Sequence, residues 1–124
     1  MNTFENENCK IWIDNGVCHI ITLAKHVTKD IVENIIKHRL ELIDGNKYLM
    51  LSDISRVKVI DREARQRFSQ KDGAIGTIAV GIIVSSKLQV IMYNFFNSIY
   101  KAPTPAKLFT DTNEALKWLE KFKK

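Results

Sequence analysis

The sequence predicts an α/β fold: a mainly parallel sheet, an antiparallel edge strand and helices on both faces. Three observations predict it. Asn15-Gly16 separates two apolar stretches, a strong two-residue hairpin signal. Short strand-like runs then alternate with stretches of helical period, which implies parallel strands joined by crossovers. Finally, Ala79-Val80-Gly81-Ile82-Ile83-Val84 is apolar on both alternating faces, as in a strand covered on two sides. The predicted order is β-β-α-β-α-β-α-β-α, in one domain over residues 9–124. Residues 1–8 are polar and are expected to be frayed.

Each element has its own reason. Cys9 to Asp14 and Val17 to Leu23 form the hairpin. Its register sets Asp14 against Val17, Cys18 against Ile13 and Cys9 against Thr22. The thiols are therefore not opposed, and no disulfide is expected. His19 faces Trp12 and reads as a packed structural histidine. Both hairpin faces are largely apolar, so both are expected to be covered.

Thr28 is a good N-cap, with Asp30 in the first turn. Ile31, Val32, Ile35, Ile36, Leu40 and Ile43 follow at helical spacing, and Gly45 is the expected stop. His38 falls on the outer side of this helix, where solvent is expected. Tyr48 to Ser52 is a short strand. Ile60 to about Lys71 reads as a helix with a narrow buried stripe, mainly Ala64 and Phe68. Ser86 caps a further predicted helix carrying Leu88, Ile91, Met92, Phe95, Phe96 and Ile99. Pro103 and Pro105 break the chain. Lys107-Leu108-Phe109 is the last strand, and Asp111 with Glu114 opens the last helix as a capping box.

Composition narrows the function classes. No apolar run reaches the roughly 18 residues of a membrane span. The opening Met1-Asn2-Thr3-Phe4-Glu5-Asn6-Glu7-Asn8 lacks the basic and apolar regions of a signal peptide, so a cytoplasmic protein is expected. Two cysteines without a CxxC or His/Cys cluster predict no zinc site, and no cofactor motif is present. The net charge of +5 is spread along the chain and speaks first to solubility. Nucleic acid is disfavoured: Arg56, Lys58, Arg62, Arg65, Arg67 and Lys71 cluster around the second helix without aromatic platforms beside them.

The stretch Asp53-Ile54-Ser55-Arg56-Val57, then Lys58-Val59-Ile60, then Asp61-Arg62-Glu63-Ala64 resembles the STAS domain of anti-sigma-factor antagonists. That family carries a strand ending in Asp-Leu-Ser-Gly-Val, a few residues, and Asp-Ser-Ser-Gly opening a helix. The tail is similar to the wider SpoIIAA-like group, including its STAS/SEC14 members. Phe96 leads to Pro103-Thr-Pro105, Leu108-Phe109-Thr-Asp111 and Glu114-Ala115-Leu116-Lys-Trp118-Leu119. The resemblance covers residues 9–123 in element order and implies a SpoIIAA-like (STAS) fold.

The resemblance also implies a role as a protein-binding regulator. In the family, the second hydroxyl after the aspartate is phosphorylated and switches partner binding. Here that position is Glu63, preceded by Arg62, and neither accepts a phosphoryl group. Glu63 serves as a fixed mimic of phosphoserine or as an ordinary first-turn acid.

Two functions follow. The first is a non-enzymatic interaction domain using Asp53, Ser55, Arg56, Asp61, Arg62, Glu63 and Arg65, with a protein partner or a homodimer as occupant. The second is a SpoIIAA/SEC14-like module holding an apolar or lipid ligand against Met92, Phe95 and Phe96. Catalysis has weaker support. The carboxyl ends of the strands present Lys25, His26, Asp53, Ser55, Ser85, Ser86, Thr110 and Asp111. A Ser85, His26 and Asp53 set has the composition of a triad, but no nucleophile elbow accompanies it.

Overall fold

The computed structural model describes residues 3–68, 75–85 and 104–123, apart from the side chain of Phe68. Their strands are β1 (Thr3–Glu5), β2 (Cys9–Asp14), β3 (Val17–Thr22), β4 (His26–Val27), β5 (Tyr48–Asp53), β6 (Val59–Ile60), β7 (Thr77–Ile83) and β8 (Ala106–Phe109). The helices are α1 (Lys29–Ile43), α2 (Arg62–Phe68) and α3 (Thr112–Leu119), and a 3₁₀ turn spans Glu120–Phe122. A six-stranded sheet runs β1-β2-β3-β5-β7-β8, and β4 pairs with β6 in a separate two-stranded sheet. From β3 to β8 all pairings in the large sheet are parallel.

The hairpin has the expected register, with Cys9 opposite Thr22, Ile13 opposite Cys18 and Asp14 opposite Val17. Asn15 and Gly16 both take positive φ, 51° and 79°. That is the primed turn whose twist matches the strands, and it explains the Asn-Gly pair. Both cysteines are buried and free.

Alternation along the strands makes two cores. Ile11, Ile20, Met50, Val80 and Ile82 pack with Val32, Ile35 and Ile36 of α1 and Ala64 of α2. On the other face, Val17, Leu49, Leu51, Ala79 and Ile83 pack with Ala115 and Leu119 of α3. β7 therefore contributes to both cores, as its unbroken apolar run predicts. Thr28 caps α1 through its hydroxyl, and Asp111 caps α3 by accepting from Asn113 N at 3.1 Å.

Several expectations are corrected. Residues 3–5 are an edge strand, where polar composition predicted fraying. Phe4 stacks on His38 with ring centroids 3.6 Å apart, and Asn6 Nδ2 donates to Asn34 Oδ1 at 3.0 Å. A single aromatic and a single amide thus dock the segment on α1. His38 is accordingly partly covered, with Glu41 beside it at 3.2 Å. α1 ends at Ile43, two residues before Gly45, because its cap Asp44 already adopts the left-handed conformation at φ 46°. Ile60 belongs to β6 and not to the helix, which starts at Arg62. The hairpin's outer side is only half-covered at Trp12, His19 and Ile21. Lys71, Ser86 and the predicted apolar helix with Met92, Phe95 and Phe96 lie outside the described residues.

Candidate functional site

The candidate site is the turn from β5 to α2. It begins with Asp53, whose Oδ1 accepts from Ser55 N at 2.9 Å and Ser55 Oγ at 2.6 Å. An aspartate two residues before its donor closes an Asx turn, which is why the strand stops there. Ile54 N still donates to Ile83 O, so the turn leaves the sheet one residue later.

The turn does not hang free. Lys25 O accepts from Lys58 N and Val59 N at 2.7 and 3.0 Å, and Val27 O accepts from Asp61 N at 3.0 Å. These bonds form the β4–β6 sheet, with His26 opposite Val59 and Val27 opposite Ile60. Val57 and Ile60 point into the α1-side core beneath it. His26 Nε2 lies 2.5 Å from Asp61 Oδ1 on the outside. Backbone, apolar anchors and one side-chain pair together fix the path into α2.

On this frame Arg56, Lys58, Arg62, Glu63 and Arg65 are exposed, while Ala64 is fully buried. Val59 is 52% exposed, one of three exposed large apolar side chains among the described residues, with Ile75 and Ile78. Arg67 is directed elsewhere, since its Nε donates to Glu33 Oε1 on α1. The surface is therefore basic around one exposed apolar residue, with Glu63 as its acid. Asp53 and Ser55 engage each other and Asp61 engages His26, so these three shape the turn.

The triad-like set is not assembled as such. His26 meets Asp61 and Asp53 meets Ser55, so the pairing that a triad needs is made with other residues. Asp111 caps α3 and Thr110 is exposed beside it. Among the described residues no cluster of three metal-ligating side chains occurs. No described helix is long and apolar enough to cross a membrane. Sequence reading missed the β4–β6 sheet. Its signal is Val57-Lys58-Val59-Ile60, three β-branched residues around one lysine.

On the hairpin, His19 stacks on Trp12 with centroids 4.7 Å apart and planes 4° from parallel. Burial lowers the pKa of its imidazole, partly opposed by Asp14. Lys10 Nζ lies 5.4 Å from the same Trp12 ring. This is the packed histidine the register predicted. Burial also raises the Cys18 thiol to about 11, against a smaller opposing effect of Arg39.

The domain family described as "Domain of unknown function (DUF7793)" matches residues 11–123. The chain belongs to this family. The match takes in both cores and the whole β5–α2 turn. Among solved structures, this DUF7793 chain is similar to an uncharacterized protein of the DUF3478 family from Shewanella loihica PV-4. That protein has a SpoIIAA-like fold. The TM-score is 0.65 at 19% identity, covering 90% of this chain and 91% of the other. At that identity the likeness shows the fold, and the fold is SpoIIAA-like, as the residue resemblance implied. No significant match occurs among curated proteins.

Proposed function

We propose that this chain is a non-enzymatic interaction domain that presents the β5–α2 turn and the outer face of α2 to a protein partner. The observation that carries this reading is the β4–β6 sheet. It holds Val59 and its basic neighbours in one geometry before any partner arrives. A surface fixed in advance loses less conformational freedom on binding. Arg56, Lys58, Arg62 and Arg65 favour an acidic partner surface, with Val59 as the apolar contact. Glu63 stands where the STAS domains that this stretch resembles carry a phosphorylated hydroxyl, so binding here is constitutive or is regulated from another position.

The test is affinity capture with mass spectrometry, using wild type, Arg62→Glu with Arg65→Glu, and Lys107→Glu with Lys121→Glu. Both double variants change the net charge by the same amount, and all four residues are exposed. The arginine pair is expected to lose the partner that wild type and the lysine pair retain. Equal loss in both would assign the attraction to bulk charge. Retention in both would remove the turn as the binding surface.

A further inference from the structure

A concave surface lies at the amino-terminal end of the parallel strands, opposite the β5–α2 turn. It is a groove of about 930 Å³ between the hairpin turn, the starts of β5 and β7, and the turn after α3. Ligand sites are commonly a few hundred to about 1,000 Å³. Leu49, Ile78 and Phe122 supply apolar walls, Lys47 and Lys123 supply two ammonium groups, and Asn15 supplies an amide. None of the described lining residues is acidic. Lys123 is paired with Glu120 at 3.1 Å, while Lys47 is exposed.

Two features point to use of this groove. The first is a β-bulge. Tyr48 pairs with Thr77 but Met50 pairs with Val80, so Ile78 and Ala79 together oppose Leu49. Bulges re-aim side chains, and Ile78 is left 40% exposed while Ala79 remains in the core. The second is the state of the nearby backbone. Leu49 N already donates to Gly16 O, and Tyr48 N to Gly76 O. These paired groups are unsuited to hydrogen-bonding a peptide, but an alkyl chain needs no such bonds.

We propose that this groove binds an aliphatic carboxylate, with the chain against Ile78 and Phe122 and the carboxylate between Lys47 and Lys123. The site is separate from the β5–α2 turn, so the two readings stand or fall independently.

Decanoate is the probe, titrated into the full chain by calorimetry. Trp118 fluorescence gives a second readout, because its ring meets Phe122 edge-on at 4.9 Å. Saturable binding is expected, weakened at least about fivefold in Lys47→Ala with Lys123→Ala and at least about tenfold in Ile78→Asn. Decan-1-ol, with the same chain and no charge, is expected to bind at least about fivefold more weakly. Circular dichroism of each variant confirms that it is folded. The proposal is overturned by absence of saturable decanoate binding, by equal binding of the alcohol, or by unchanged binding in both folded variants. Sedimentation showing a dimer that Ile78→Asn dissociates, without decanoate binding, would assign the surface to a second copy.

Discussion

His26 and Asp61 join the two short strands at the candidate site from outside, Nε2 to Oδ1 at 2.5 Å across 35 positions of sequence. The backbone bonds beneath them run from Val59 N to Lys25 O and from Asp61 N to Val27 O. Both side chains are substantially solvent-accessible, so their direct contribution to global stability is small, about 1 kcal/mol or less.

The local consequence is larger. His26→Ala is expected to leave the urea midpoint almost unchanged. Hydrogen exchange at Val59 and Asp61 should accelerate by about threefold or more, since a two-residue sheet opens locally without global unfolding. Exchange unchanged in the variant would show that the buried Val57 and Ile60 hold the turn alone.

Gly76 offers a stability test that separates backbone strain from crowding. It has φ +77°, and a Cβ there would overlap Ile43 Cδ1 and lie 3.0 Å from Asn46 O. Gly45 has nearly the same φ, +79°, with nothing within 4 Å of the corresponding position. Gly45→Ala is expected to cost about 1 kcal/mol from the left-handed conformation. Gly76→Ala should cost about 1–3 kcal/mol more, because the buried Ile43 side chain must repack and the Asn46 carbonyl cannot easily give way. Equal urea midpoints for the two variants would show that Ile43 and Asn46 do not crowd the turn at Gly76.

Protonation of His19 should weaken the fold at acid pH. Burial lowers the pKa of the folded imidazole below its ordinary 6.5. The unfolded chain therefore binds more protons near and below that pH, and stability rises with pH there. Going down, the loss begins near 6.5 and continues toward the lower folded value. Thermal melts from pH 8 to pH 5 should show a steeper decline for wild type than for His19→Phe, which keeps the stack on Trp12. Asp14→Asn should steepen the decline further, because Asp14 favours the charged imidazole. Parallel profiles for wild type and His19→Phe would place the acid sensitivity elsewhere.

Most of the large sheet was legible because periodicity and turn chemistry are local. Asn15-Gly16 set the register of β2 on β3, and the two-sided apolar run called for a strand covered on both faces, which α1 and α3 provide for β7. β1 was not legible, since three residues give no period and its anchors, Phe4 on His38 and Asn6 on Asn34, are tertiary. The same holds at the candidate site. Asp53, Ser55 and Asp61 were named from their positions, but their partners depend on how β4 meets β6. The bulge at Ile78 was hidden for another reason. Thr77-Ile78-Ala79 reads as ordinary strand, and only pairing with β5 reveals the extra residue.

β7 itself provides the sharpest test of the two-core arrangement. Ile82 packs in the core beneath α1, and Ile83 in the core beneath α3. A carboxylate at either position would lose its hydration without gaining a partner. Ile82→Asp and Ile83→Asp are each expected to destabilise by more than about 3 kcal/mol, enough to unfold a marginal domain. Val59→Asp is the control, the same kind of change at a strand position 52% exposed, and should stay within about 0.5 kcal/mol. Urea titration followed by circular dichroism decides the matter. If only Ile82→Asp were damaging, the face under α3 would be open to water, and Ala115 and Leu119 would not form a core with Ile83. If both were damaging and Val59→Asp equally so, β6 would be buried in solution. The proposed partner surface would then lose its apolar centre.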